Sequence, residues 1–190
     1  GNISPTQNTM LYLKNSTAEM DGAGTKVDMT VADGYTGAYV EGNSSLTGVK
    51  TITLGRNSNG IFLKDAIFTS EIEEITGTQE NAKGILGIDS SLTNKTKISL
   101  SGDNSIGIYS NANTPNTVVN EGKLELSGKK TLGVFLKGGQ SFENKADISI
   151  ADSADSQNPV IGVYTSSGTS PITLTSGNIE VGVKSIGVYS

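Results

Sequence analysis

The feature that constrains this chain most is a tripeptide that keeps returning: a glycine, an aliphatic or small residue, then usually an aromatic. It occurs as Gly37-Ala38-Tyr39, Gly60-Ile61-Phe62, Gly84-Ile85-Leu86, Gly107-Ile108-Tyr109, Gly133-Val134-Phe135, Gly162-Val163-Tyr164 and Gly187-Val188-Tyr189. The glycines lie 23, 24, 23, 26, 29 and 25 residues apart, a mean of 25. Met10-Leu11-Tyr12 stands 27 residues before Gly37 as an eighth, variant copy. A period of 20–50 residues is the mark of a repeat architecture, in which each unit is one supersecondary element.

A second element sits between the copies. Val27-Asp28-Met29-Thr30-Val31, Ile52-Thr53-Leu54, Ile72-Glu73-Glu74-Ile75, Ile98-Ser99-Leu100, Leu124-Glu125-Leu126, Ile148-Ser149-Ile150, Ile172-Thr173-Leu174 and Ile179-Glu180-Val181 are short apolar–polar stretches. Alternation of period two predicts half-buried strands. No window carries the i, i+3, i+4, i+7 spacing of an amphipathic helix. Two or three short strands per repeat, without helices, predict an all-β solenoid, a parallel β-helix of seven to eight coils. One coil cannot bury its own apolar face, so the coils must stack. With strands about 4.8 Å apart the rod is on the order of 35 Å long.

Alternate residues of a strand share a face. That rule places Ile106, Ile108, Leu132, Val134 and Leu136 inside the rod. It turns Gly107, Tyr109, Gly133 and Phe135 outward, with Lys14, Glu41, Lys64 and Lys137 in equivalent slots. Tyr12, Tyr39, Phe62, Tyr109, Phe135, Tyr164 and Tyr189 then form an external ladder. Seven of the ten aromatic residues occupy this one slot, so the ladder is the first candidate ligand surface, as exposed rings stack on sugars or dock partners. The competing expectation is that rings repeated in every coil pack on one another and stiffen the rod.

Composition removes much chemistry. The chain of 190 residues has no Cys, His or Trp, which excludes histidine-based triads, thiolate nucleophiles, disulfides and Cys/His metal sites. With 14 Lys and Arg against 19 Asp and Glu, the net charge of -5 argues against a nucleic-acid partner. No stretch of about 18 apolar residues is present to span a membrane as a helix. The start, Gly1-Asn2-Ile3-Ser4-Pro5, lacks the basic and apolar regions of a signal peptide. The expectation is a single rod over residues 1–190, part of a longer one, since the last strand stops in mid-run and neither end resembles a polar cap.

The two longest intervals carry turn-forming insertions, Asn111–Asn116 and Ala151–Pro159, expected to protrude between strands as the second candidate surface; Thr165–Pro171 is a third projection. Surface insertions of this kind are also tolerated without any role. Asp152 and Asp155 are candidate ligand contacts, though two carboxylates in one loop are thin support for calcium. Glu71, Glu73, Glu74 and Glu80 form an acidic run whose members do not share one face, so a solvated surface is expected rather than a two-carboxylate site. Gly102-Asp103-Asn104-Ser105 has no histidine to act as base. Asn94, Asn120 and Asn144 are expected to stack at a turn. No cofactor or metal is expected.

The units Asn120-Glu121-Gly122-Lys123-Leu124-Glu125-Leu126, Thr131-Leu132-Gly133-Val134-Phe135-Leu136 and Asp103-Asn104-Ser105-Ile106-Gly107-Ile108-Tyr109 resemble the repeats of type V autotransporter passengers. The closest likeness is to the large outer-membrane adhesins of fusobacteria, and it covers essentially the whole chain. The resemblance implies a right-handed parallel β-helix, a passenger segment on a Gram-negative surface anchored through an outer-membrane barrel absent from this chain. It also implies attachment to a host-cell surface protein or glycan, or to a partner bacterial surface. The expected function is thus a non-enzymatic adhesin segment. Two alternatives stay open: a structural stalk with recognition elsewhere, and a polysaccharide-degrading β-helix enzyme, for which no convincing groove of carboxylates or bases is visible.

Overall fold

Each turn of the chain lays down three strands, and equivalent strands of successive turns pair in parallel. The computed structural model describes residues 8–21, 24–114, 116–166 and 171–190. Over these residues the fold is an all-β parallel solenoid of about 7 turns, about 24 residues apart. No described helix is long and apolar enough to cross a membrane.

The glycine–aromatic copies form the longest sheet, eight strands in chain order: Thr9–Lys14, Thr36–Glu41, Asn59–Lys64, Lys83–Ile88, Ile106–Asn111, Leu132–Lys137, Ile161–Thr165 and Ile186–Tyr189. The alternating stretches form a third sheet of Val27–Val31, Val49–Leu54, Glu74–Gly77, Lys97–Leu100, Leu124–Leu126, Ile148–Ile150 and Ile179–Val181. Between them in sequence runs a second sheet that alternation singled out only at its last strand, Ile172–Leu174: Ile67–Ser70, Ser91–Asn94, Thr117–Asn120, Ser141–Asn144 and Ile172–Leu174. Thr17–Glu19 and Ser45–Thr47 pair separately in the first two turns. Most of this second sheet escapes the pattern because its strands carry a single inward aliphatic or aromatic residue, such as Leu92 or Val118, among hydroxyls and amides.

The core is a set of columns, one residue per turn. Ile52, Ile75, Ile98, Leu124 and Ile148 stack in the third sheet, and Ala38, Ile61, Ile85, Ile108, Val134 and Val163 in the long sheet, all fully buried. Phe68, Leu92, Val118 and Phe142 close the third side. Such stacking lets each turn bury its apolar face only against its neighbours.

Two corners per turn use the left-handed region. Before the long strand stand Asn8, Gly34, Asn57, Asn81, Asn104, Lys130 and Lys184; after it stand Asn15, Gly42, Asp65, Asp89 and Gly138. All have φ between 47° and 86°. Asn, Asp and Gly accept this conformation readily, whereas Lys does so at a cost. Where the turning backbone leaves an amide outside the ladders, a carboxylate of the preceding turn takes it. Asp33 Oδ1 accepts the Arg56 N–H (2.7 Å), Asp103 Oδ1 that of Lys129 (2.9 Å) and Asp147 Oδ1 that of Asn178 (2.9 Å).

The facing rule fails at the glycines. A β carbon on Gly84 would lie 3.1 Å from Ile98 Cγ2, and one on Gly133 would lie 2.8 Å from Leu126 Cδ1. These glycines therefore face the interior, not solvent. The next aliphatic residue is buried too, while Ile106 and Leu132, expected inside, are only half-buried. Two successive inward residues break the period of two. Glycine is required because the same β carbon would also sit 2.4–2.6 Å from the carbonyl oxygen of the next glycine in the row, from Gly37 through Gly162.

The asparagines do stack, but inside the rod. Asn94 Nδ2 donates to Asn120 Oδ1 and Asn120 Nδ2 to Asn144 Oδ1, both at 2.9 Å, and all three residues are fully buried. They end strands of the second sheet and have ordinary backbone angles, so the side-chain amide, not backbone tolerance, explains them.

Candidate functional site

The aromatic slot is two stacks divided by Leu86. The first joins Tyr12 to Tyr39 (ring centroids 5.6 Å apart, edge-on) and Tyr39 to Phe62 (4.7 Å, stacked). The second joins Tyr109, Phe135, Tyr164 and Tyr189 at 5.1, 5.0 and 5.2 Å. Parallel register brings the rings together, since Tyr109 lies opposite Phe135 and Phe135 opposite Tyr164.

The stacks differ in exposure. Tyr39 and Phe62 keep only 3% and 8% of their surface, which overturns the expectation that both stand on an external face. Close ring stacking covers them, and burial raises the Tyr39 hydroxyl above its usual pKa. Tyr109, Phe135 and Tyr164 are half-buried and Tyr189 is exposed. At the first end Tyr12 is exposed and its hydroxyl donates to Glu41 Oε2. Lys83 precedes the Leu86 interruption on the same strand; it forms no ion pair among the described residues, and burial lowers the pKa of its ammonium.

The Ala151–Pro159 insertion joins the third sheet to the long sheet. Asp152 Oδ1 accepts the Val183 N–H of the next turn (2.7 Å). Asp155 organises its own loop, accepting from the Gln157 N–H (2.9 Å) and the Asn158 side-chain amide, which hold its carboxyl below the usual range. Both candidate carboxylates thus already hold amides. Asp152 also borders a cleft of about 210 Å³ with Asp103 and Lys129. Among the described residues no group of three or more acidic side chains is placed to hold a metal ion. The Thr165–Pro171 projection falls largely on residues 167–170, outside those described.

The acidic run is dispersed into ion pairs with neighbouring turns and, for Glu73, with the turn beyond. Glu71 meets Lys95 (2.8 Å), Glu73 meets Lys26 (2.9 Å), Glu80 meets Arg56 (3.4 Å) and Glu74 meets Lys97 (3.2 Å). The last pair opens a charged row on the third sheet, where Lys97 and Lys123 contact Glu125 at 3.1 and 2.7 Å and hold its carboxyl down to about 2. Beside it a shallow groove of about 430 Å³ runs over Thr76, Ser99, Glu125, Ser149 and Glu180. Asp103-Asn104-Ser105 forms a corner, with Ser105 buried and its hydroxyl accepting the Ala82 N–H.

The Asn111–Asn116 insertion lies at the corner after the long strand and borders a concavity of about 480 Å³. Its lining includes Asp65, Ile67, Asp89, Ser91, Asn113 and Asn116. Sequence reasoning named the insertion but missed Asp65, Asp89 and Ile67. One signal was available: Ile67 is apolar in a slot that holds Thr17, Ser45, Ser91, Thr117 and Ser141 in other turns. No known protein family, curated protein or solved structure matches this chain.

Proposed function

We propose that the chain is a non-enzymatic segment of a bacterial surface adhesin of the autotransporter type, binding a protein or glycan on a host cell or on another bacterium. The observation that carries this reading is the half-exposed stack Tyr109, Phe135, Tyr164 and Tyr189, an aromatic strip over four successive turns of a stiff rod. Rings already held by their neighbours lose little side-chain entropy on contact with a partner, which favours rigid aromatic anchors. The resemblance of the repeats to autotransporter passengers supports display at the cell surface.

A structural stalk is the second reading, favoured by the burial of Tyr39 and Phe62 in the other stack. Binding of the labelled chain to epithelial, immune and bacterial cells separates the two. Saturable binding, lost in the Tyr109→Ala/Phe135→Ala variant with its circular dichroism unchanged, is expected of the adhesin. Absence of binding to every cell type by the folded chain would leave the stalk.

A further inference from the structure

We infer that the concavity beside the Asn111–Asn116 insertion is a binding site for a neutral saccharide, formed by Asp65, Ile67, Asp89, Ser91, Asn113 and Asn116. The inference rests on the adhesin reading and names a ligand class and a second surface for it.

Three features of the fold converge there. Firstly, the site spans three turns at one corner. Asp65 and Asp89 occupy the same left-handed position in adjacent turns (φ 49° and 47°), and the insertion of the following turn supplies a wall. Asn113 fixes that wall by donating its backbone N–H to Asp89 Oδ1 at 2.8 Å. Secondly, Ile67 is 77% exposed, more than any other large hydrophobic among the described residues, in a row that continues through the hydroxyls Ser91, Thr117 and Ser141. An aliphatic side chain held out of the core beside polar groups suits the C–H face of a sugar ring. Thirdly, hydrogen-bonding capacity is left over. The Asp65 carboxylate makes no hydrogen bond or ion pair with the described residues, unlike the corner carboxylates Asp33, Asp103 and Asp147, and Asn116 Nδ2 is buried without a partner.

The ligand class follows from the lining. Carboxylates accept from hydroxyls in charge-assisted bonds, while Ser91, Thr114 and the amides donate and accept. A volume of about 480 Å³ lies in the range of small-molecule sites and suits one or two sugar rings. Two carboxylates and no cation line the site, so sialic and uronic acids are repelled and the sugar is neutral.

The test uses the whole chain with methyl glycosides of glucose, galactose, mannose and N-acetylglucosamine, screened by saturation-transfer NMR and titrated by calorimetry. Asp65→Asn and Ile67→Ser put into this turn what other turns already carry, Asn15 and Ser91, so both variants are expected to fold. Wild-type binding that Asp65→Asn weakens about ten-fold or more, by loss of a charged acceptor, and that Glu125→Gln on the third sheet leaves unchanged, supports the site. Failure to bind any glycoside, or equal binding by both corner variants, overturns it. Cell binding measured in parallel separates the two ideas. Cell attachment that persists in both corner variants, with no glycoside bound, removes the saccharide site and keeps the adhesin. Glycoside binding sensitive to Asp65→Asn, without attachment to any cell, keeps the site and removes the adhesin.

Discussion

Two polar rows run along this rod, one inside and one outside, and they are held by different physics. The inner row, Asn94, Asn120 and Asn144, is fully buried, and Asn94 and Asn120 each donate to the amide of the next turn. The outer row, Glu74, Lys97, Glu125 and Lys123, has comparable distances but side chains 36–47% exposed. Water can replace every bond of the outer row and none of the inner one. Surface ion pairs are worth at most about 1 kcal/mol, whereas a buried group left unpaired costs about 1–3 kcal/mol. The same spacing therefore specifies the stack from inside and decorates it from outside.

Substitutions that probe this contrast should rank accordingly. The interior glycine row is the least forgiving. In Gly133→Ala the new β carbon meets Gly162 O at 2.4 Å and Leu126 Cδ1 at 2.8 Å, and overpacking there is expected to cost about 3 kcal/mol or more. A urea midpoint equal to that of the wild type would show that the turns can part to admit a methyl group. Next comes Asn120→Ala, which leaves Asn144 Oδ1 without its donor and takes the acceptor Asn120 Oδ1 from Asn94 Nδ2, at about 2–3 kcal/mol. Asn120→Asp should do no better, since it replaces the donor with a buried charge.

Moving outward, effects shrink and two change sign. Lys130 holds φ 54° where most other turns use Asn or Gly, so Lys130→Gly is expected to stabilise by about 1 kcal/mol. A loss on thermal melting would mean the lysine side chain contributes something the corner geometry does not reveal. Leu86→Phe would join the two aromatic stacks and gain about 0.5–1 kcal/mol from ring contacts. The smallest effect belongs to the charged row. Glu125 has its carboxyl lowered from 4.5 to about 2 in the folded chain, so its contribution is complete above pH 4.5 and fades as pH falls toward 2. Its exposure limits that contribution to well under about 1 kcal/mol, and Glu125→Gln should remove this part of the acid dependence while scarcely moving the melting temperature at pH 7.

The outcome at the aromatic slot shows how sequence and structure divide the work. Eight copies of the repeat become eight strands in chain order, with every ring opposite the ring or leucine of the next turn. That register is inherent in the spacing, since only in-register stacking aligns residues one repeat apart. The exposure of the rings is not inherent in it. Tyr39 and Phe62 close on one another while the second stack stays half-open, and nothing in a repeated tripeptide distinguishes the two.

The candidate surfaces divide in the same way. The insertions were visible as breaks in an even period, whereas Ile67, an apolar residue in a slot of hydroxyls, was passed over. Their meeting with Asp65 and Asp89 was not visible, because these residues lie on three different turns and become neighbours only when the turns stack. The amino-acid sequence alone determined the repeat, the all-β parallel stack and the periodic core, because these follow from spacing and local alternation. Only the tertiary structure decided which way the glycines face, that the asparagines lie inside, and which carboxylates keep a free oxygen. Those properties depend on how close one turn approaches the next, a distance set by packing between residues about 24 apart.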